Sequence, residues 1–441
     1  MSAPVNPSST LNVGDVIDLD VTGIAHGGVS VARHEGRVVF VADAIPGERV
    51  RVEVTEARKK SFVRATVTTV LDASPDRRDH VWAEAALERS PEDRAGGAEF
   101  GHIALERQRA LKAEVLADAM QRFGGVELAS DSDEDLADAL ADLVEAAPGD
   151  DETNGLGYRT RVRLHVDAET GVVGPYAARS RRVIPVASLP LANDEIASIA
   201  PLADQMPDAA TVDLIAPAAD DPRMLITLVG DKKPAGGADV VRELVEDRGF
   251  LVRAGGFWQV HREAPAILFT AVRDAIQDLI DDDRFDPAAG NLDLYGGVGL
   301  LAAAMAEAGG PGTKVTTVES EASATDDAAE NLSELLGALA VTARVDRHLA
   351  DLLKSAKPVR DRLRRGTIVL DPPRSGAGGG VTAQIVELAP ANIVYVACDP
   401  VALARDTKSL RDAGYELTGL RAFDIFPHTH HFESLATFER A

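Results

Sequence analysis

Two apolar, β-branched runs near the C-terminus stop in the same way. Thr-Ile-Val-Leu ends at Asp371-Pro372-Pro373-Arg374, and Val-Tyr-Val-Ala ends at Cys398-Asp-Pro. Short continuous apolar runs suit buried parallel strands, and the carboxyl ends of such strands are where open α/β sheets carry function. Two parallel strands would therefore deliver Asp371 and Cys398 to one edge of one sheet. After Gly255 the chain alternates: helix at Ala264–Ile280, strand at Asn291–Tyr295, helix at Leu300–Glu307, strand at Val315–Val318, helix at Ala322–Leu336, strand near Val341–Val345. This alternation predicts a doubly wound α/β domain.

Upstream the pattern differs. Between Leu11 and Ser74 five short valine-rich runs, starting at Asp15, Gly28, Arg37, Arg49 and Phe62, are punctuated by Gly and Pro. So compact a set predicts a small, closed or nearly closed β-barrel of the OB-like type. Such barrels bind oligonucleotides or serve as structural adaptors, and the pattern does not choose between them. Ile103–Phe123 has helical spacing and ends at Gly124-Gly125, and Tyr158–Val252 alternates short strands with polar stretches. The expected division is a barrel (1–75), a mixed β-rich central region (76–254) and an α/β domain (255–441).

Composition narrows the function. No run reaches the length of a membrane span, and Met1–Leu11 has neither the basic stretch nor the apolar core of a signal peptide, so the expected location is cytoplasmic. One cysteine excludes an internal disulfide, and with it any zinc or iron-sulfur site built from several thiolates of this chain. A net charge of -25 opposes nucleic-acid binding in bulk. The charge is uneven, however. Glu127–Glu152 holds eleven acidic residues and no Lys or Arg, most simply a solvated insertion or helix-loop and less simply an interaction tail, while Gly157-Tyr-Arg-Thr-Arg-Val-Arg and Arg179-Ser-Arg-Arg are locally basic.

Leu292-Asp-Leu-Tyr295-Gly296-Gly297-Val298-Gly299 reads as a strand, a glycine-rich turn and a helix start. Glycine lets backbone pass close beneath a ligand at a helix N-terminus. Alone, the turn is compatible with nicotinamide, flavin or adenosylmethionine binding, or with tight packing. The next strand ends at Glu319, an acid able to accept hydrogen bonds from ribose hydroxyls. The dinucleotide pattern of three glycines is incomplete, since Ala302 stands where its last glycine belongs. A cofactor without a pyrophosphate fits better.

Four ordered motifs together resemble the class I S-adenosyl-L-methionine-dependent RNA uracil-5-methyltransferases. They are Leu292-Asp-Leu-Tyr-Gly-Gly-Val-Gly, Asp371-Pro-Pro-Arg-Ser-Gly, Ala397-Cys-Asp-Pro-Val-Ala-Leu-Ala-Arg-Asp406 and Phe426-Pro-His-Thr-His-His-Phe-Glu433-Ser. The barrel, with Pro46-Gly47-Glu48 and Ser74-Pro75, is similar to the TRAM domain that many members carry. The likeness is weakest from Glu127 to Phe250. It implies a Rossmann-like methyltransferase domain acting on structured RNA, ribosomal or transfer. Cys398 would be the nucleophile at uracil C6, Glu433 the base that removes the C5 proton, and Asp371 a group facing the uracil edge. Arg405 and Asp406 would shape the following loop or touch phosphate. The cofactor would meet Gln259, Tyr295, Glu319 and Asp371, over a floor of Gly297 and Gly299, with Asp346 reaching the adenine amino group. Leu300 replaces an Asn found in several relatives.

Some members also hold a four-iron cluster. Here Arg89, Ala95, Ala98 and Leu189 occupy the ligand positions, so no cluster and no metal site are expected. Blander readings stand beside these. A free cysteine is usually inert packing, and His428, His430 and His431 suit loop hydrogen bonding and substrate contact better than zinc. The alternatives in function are a noncatalytic RNA-binding or assembly protein that kept the fold, and a nucleotide-dependent oxidoreductase. The motifs carry no information on oligomeric state.

Overall fold

The computed structural model describes residues 11–57, 61–128, 143–178 and 180–441. The first ten residues and the centre of the acidic stretch lie outside the described residues.

The N-terminal strands β1 (Val16–Ala25), β2 (Val29–His34), β3 (Arg37–Ala42), β4 (Arg49–Glu56) and β5 (Phe62–Asp72) close into a barrel in the order β1-β2-β3-β5-β4. Alternation drives the closure. Along β4, Val50, Val52 and Val54 are fully buried while Arg49, Arg51 and Glu53 face out. Glu48, in the sequence after Pro46, is buried, accepts from Ile45 N at 2.8 Å and pairs with Arg77 at 2.5 Å. That pair ties the barrel to the chain that follows it.

Ile103–Phe123 folds as the helix Leu105–Ala119, which continues into a widened π-turn, Met120–Gly124. The central strands are β6 (Val144–Ala146), β7 (Arg161–Val166), β8 (Val173–Gly174), β9 (Ala209–Ile215), β10 (Arg223–Leu228), β11 (Val240–Val245) and β12 (Arg248–Arg253). A sheet of order β10-β9-β7-β8 and the hairpin β11-β12 hold all of these except β6.

β6 joins the C-terminal sheet instead, which corrects the expectation of a solvated insertion for its part of the acidic stretch: Val144 is buried and pairs with Ala422, and Asp150 is buried with His261 at 3.0 Å. The C-terminal sheet contains β13 (Asn291–Leu294), β14 (Val315–Glu319), β15 (Ala338–Thr342), β16 (Thr367–Leu370), β17 (Asn392–Ala397), β18 (Tyr415–Asp424) and β19 (Glu433–Arg440). Its order is β15-β14-β13-β16-β17-β19-β18-β6. β13 to β17 run parallel, and every residue of β13, β16 and β17 is buried; the continuous apolar runs predicted this for β16 and β17, whereas β13 buries Asn291 and Asp293 among its leucines. β19 runs antiparallel to β17, so it begins at the edge where β17 ends.

Two expected elements shift. The helix from Ala322 stops at Asn331, short of Leu336. The Asn331 amide there donates to Leu251 O at 2.9 Å and accepts from Leu251 N at 2.7 Å, so a tertiary partner ends the helix. The strand expected near Val341–Val345 lies at Ala338–Thr342, because β14 sets its register and Val345 opens a helix.

Candidate active site

The carboxyl edge of the parallel sheet gathers most of the expected residues. β13 gives way to Tyr295 in the left-handed region (φ +63°), with Gly297 at +52° and Gly299 at +89°. Glycine takes such angles without strain, whereas a tyrosine there is held by its surroundings. Gly296 has a different requirement. A Cβ would overlap both Thr317 Oγ1 and the Asp293 carboxyl, which are themselves joined by a hydrogen bond of 2.8 Å.

Glu319, at the end of β14, reaches over this turn. Its Oε2 accepts from Gly297 N at 3.3 Å, and its Oε1 accepts from Glu321 N at 2.8 Å. Asp346 lies in the first turn of the helix Val345–Leu353 and pairs with Arg344 at 3.0 Å, which holds its carboxyl below the usual range. Tyr295 is pushed up to about 12, first by burial and then by the charge of Asp346, so the two share one neighbourhood. Gln259 is buried in the connection from β12 to the helix Ala264–Asp281, away from these strand ends in sequence and outside their loops.

Cys398 follows β17 directly. Ala397 pairs with Ser434, so the next positions in the register are Cys398 and Glu433. Asp371 follows the neighbouring strand β16, and its amide donates to Leu294 O at 3.2 Å. An antiparallel last strand thus brings Glu433 to the edge that two parallel strands supply with Asp371 and Cys398.

The electrostatics of this trio set its resting state. Burial pushes the Cys398 thiol up to about 12, the carboxyls of Glu433 and Asp371 add to the shift, and Arg374 opposes it. Glu433 is raised well above the carboxylate range by burial and then by Asp371. Asp371 is raised to about 7 by burial and by Asp293, itself buried and raised to about 7. Like charges close together in an apolar site cannot all ionise, so protonated forms are favoured. Glu433 Oε2 is buried with no hydrogen-bond partner among the described residues. Such an atom suits a group awaiting a ligand.

Surrounding groups fix the loops. Asp406 accepts from Tyr395 Oη at 2.7 Å and Ala377 N at 2.9 Å, so it shapes the loop after Asp371-Pro-Pro. Arg405 instead lies over Phe123, 5.6 Å from the ring centre. His428 is buried between Gln108 and Asn154, and among the described residues no group of three or more His, Cys, Asp or Glu could hold a metal ion. His431 Nε2 lies 3.4 Å from Arg374 Nη2, and burial, His430 and Arg374 push its pKa down to about 3.

A cavity of about 160 Å³ opens onto Cys398, walled by His26, Lys112, Arg374, His430, His431 and Phe432. It shares the barrel turn Ile24–Gly28 with a groove of about 1020 Å³ that carries Phe40, Arg64, Arg122 and Phe123. Sequence reasoning assigned no role to Asp293, Arg374, Lys112 or His26. Arg374 and Asp293 lay inside quoted motifs, which was the available signal. His26 had none, being 373 positions from its partner.

Comparison with known proteins agrees with this architecture. Residues 11–68 match the TRAM domain, and residues 339–441 match the tRNA (uracil-5-)-methyltransferase family. An RNA methyltransferase of Streptomyces avermitilis is 36% identical, covering 97% of this chain and 99% of its own. The 23S rRNA (uracil(1939)-C(5))-methyltransferase RlmD of Shewanella amazonensis is 29% identical, covering 98% of both. The Pyrococcus abyssi tRNA (uracil-54, C5)-methyltransferase, solved with S-adenosyl-L-homocysteine, shares the fold with a TM-score of 0.65 at 18% identity, over 96% of this chain and 100% of that one. Together with the fold, these matches define the class as an RNA methyltransferase. The chain belongs to the TRAM-containing RNA (uracil-5-)-methyltransferase family.

Proposed function

We propose that this enzyme methylates C5 of a uridine in structured RNA, ribosomal or transfer, through a covalent bond between Cys398 and C6, with S-adenosylmethionine as the methyl donor. The observation that carries the reading is the convergence of Cys398, Glu433 and Asp371 at one sheet edge. The donor set fits the cofactor: Gly296 leaves no room for a side chain, Gly297 keeps its backbone partly exposed, Gly299 takes a left-handed φ and packs against Leu332 at the helix start, and Glu319 stands over the turn as a ribose acceptor. Gln259, Tyr295, Asp346 and Asp371 complete the proposed contacts. When bound, S-adenosylmethionine supplies a methyl group on a positively charged sulfur.

The chain's own residues do the rest. Asp371, poised near neutrality, takes the Cys398 proton as the sulfur adds to C6, and the electron pair moves toward C5 and O4 as an enolate. Protonated Asp371 then donates a hydrogen bond to that enolate. Glu433, protonated at rest, gives its proton to solvent before the next step. Once C5 carries the methyl group, the ionised Glu433 removes the C5 proton, which it later releases to solvent. The freed pair re-forms the C5–C6 double bond and expels the thiolate, which regains its proton from Asp371. The uridine must leave its stack to reach Cys398, and the groove with Phe40 and Phe123 beside Arg64 and Arg405 supports passage of the flanking RNA strand.

The division into barrel (1–75), central region (76–254) and methyltransferase domain (255–441) belongs to the same proposal. Among the described residues no helix is long and apolar enough to cross a membrane. A cytoplasmic site of action is part of the reading. An iron-sulfur cluster does not fit: Ala95, Ala98 and Leu189 pack into an apolar cluster with Trp82 and Leu164. Near-stoichiometric iron and sulfide in anaerobically purified protein would contradict that statement.

The test is mapping of 5-methyluridine in total RNA from a strain lacking the gene, together with labelled methyl transfer by the purified protein to that RNA. One site lost in vivo and restored in vitro is expected. No lost site and no transfer would contradict the assignment.

A further inference from the structure

The barrel touches the catalytic loop itself. His26, in the turn between β1 and β2, donates from Nε2 to Asp399 Oδ2 at 2.8 Å. Asp399 is the residue after Cys398. Its other oxygen, Oδ1, accepts from Ala402 N at 2.8 Å and caps the helix Pro400–Asp412. One carboxylate therefore receives a barrel donor and a helix donor while the nucleophile sits beside it in the chain.

The turn that carries His26 is seated closely. Gly27 and Gly28 have φ of +86° and +72°, and a Cβ at Gly28 would stand 2.5 Å from His430 Cβ. Ile24, His26, Gly27 and Gly28 all wall the cavity that opens onto Cys398. His26 is about half exposed there, at 51%. Burial raises the Asp399 carboxyl, but the bonds from His26 and Ala402 outweigh it and leave the group below its usual range. The same bond holds His26 above its usual value against burial and Arg405.

Barrel attachment does not depend on this contact. Arg77 with Glu48 at 2.5 Å and Arg94 with Asp43 at 2.6 Å tie the barrel to the segment that follows it. Both pairs are more buried than His26 with Asp399. Removing His26 should leave the barrel in place.

We propose that His26 is a positioning residue for Cys398: it fixes Asp399, and through it the loop that presents the nucleophile, so that the barrel completes the active site as well as gripping RNA. The inference rests on the reading of Cys398 as the nucleophile.

The test is single-turnover adduct formation with RNA carrying 5-fluorouracil, at saturating RNA, on the full chain. His26→Ala should slow adduct formation about tenfold, the loss expected for one hydrogen bond to a charged group, with RNA Kd and melting temperature nearly unchanged. His26→Gln, which can still donate, should recover most of the rate. Asp399→Asn keeps an oxygen for the helix cap but turns an amide toward His26, so adding His26→Ala to it should cost little more. A His26→Ala rate equal to wild type, with only a raised Kd, overturns the proposal. So do losses that multiply in the double variant. Absence of any adduct in the wild type defeats the nucleophile assignment and this proposal with it, whereas an adduct formed equally fast by wild type and His26→Ala defeats this proposal alone.

Discussion

Because the chain has one cysteine, any thiol reagent reports on Cys398 alone. Burial, Glu433 and Asp371 push that thiol up to about 12, so at pH 8 only about one molecule in 10⁴ carries a thiolate. An unfolded cysteine, with a pKa of about 8.5, is roughly one-quarter ionised at the same pH. The ratio is about 10³. Cys398 keeps partial contact with solvent, which weakens the shift, so the native protein should react with iodoacetamide about 10² to 10³ times more slowly than in urea. Restricted access alone would also slow the reaction, and the pH profile separates the two causes. In urea the rate should level off above about pH 9.5, whereas the native rate should keep climbing about tenfold per unit toward pH 11. Glu433→Gln removes a neighbouring acid and should move the native profile to lower pH. Arg374→Gln should move it to higher pH. A native profile that levels off at or below about pH 8.5 would show a thiol already activated at rest, and would refute the claim that burial and the neighbouring carboxyls hold Cys398 protonated.

Further outcomes follow from the same geometry. Gly296→Ala drives a methyl group into Thr317 Oγ1 and the Asp293 carboxyl, so calorimetry should show loss of S-adenosylmethionine binding together with a lowered melting temperature. Lys112 and Asp424, both almost fully buried, pair at 2.5 Å; Lys112→Met should cost about 3–5 kcal/mol in urea denaturation, and Asp424→Leu in the same chain should restore much of it. Asp371, Asp293 and Glu433 all have raised values in the folded state, so the fold binds more protons than the unfolded chain between the ordinary carboxylate range and about 7. Their contribution is full below about pH 4; the part from Asp371 and Asp293 is lost as pH rises through about 7, and the part from Glu433 is lost as pH rises through its own raised value. Denaturation of the ligand-free protein at pH 5.5 and 8 should show that decline, and Asp371→Asn should flatten it.

Much of this arrangement is legible in the chain because buried parallel strands leave continuous apolar runs. Thr367–Leu370 and Asn392–Ala397 are such runs, and the residues that follow them, Asp371 and Cys398, are brought to the same edge of the sheet. The barrel was readable for a related reason, since valines alternate with charge along β4. What escaped depends on contacts distant in sequence. Asn331 ends a helix through bonds to Leu251 and Val298, and no local signal distinguishes it from a helical asparagine. β6 looks like part of the central region yet pairs with β18, which only the tertiary fold decides. His26 is an ordinary turn residue until the barrel docks against Asp399. Burial explains the remaining gap: Asp293 and Asp371 are acids in any sequence, and only their apolar surroundings raise both to about 7.

The most direct measurement is capture of the covalent intermediate. With 5-fluorouracil in the target position, the C5 fluorine cannot be removed as a proton, so the adduct should persist after methyl transfer. Digestion and mass spectrometry of wild-type protein incubated with this RNA and S-adenosylmethionine should place the nucleotide on the peptide containing Cys398, with one added methyl group, and Cys398→Ala should form none. A methylated RNA product with no attachment at Cys398, or an adduct that survives Cys398→Ala, would contradict the account.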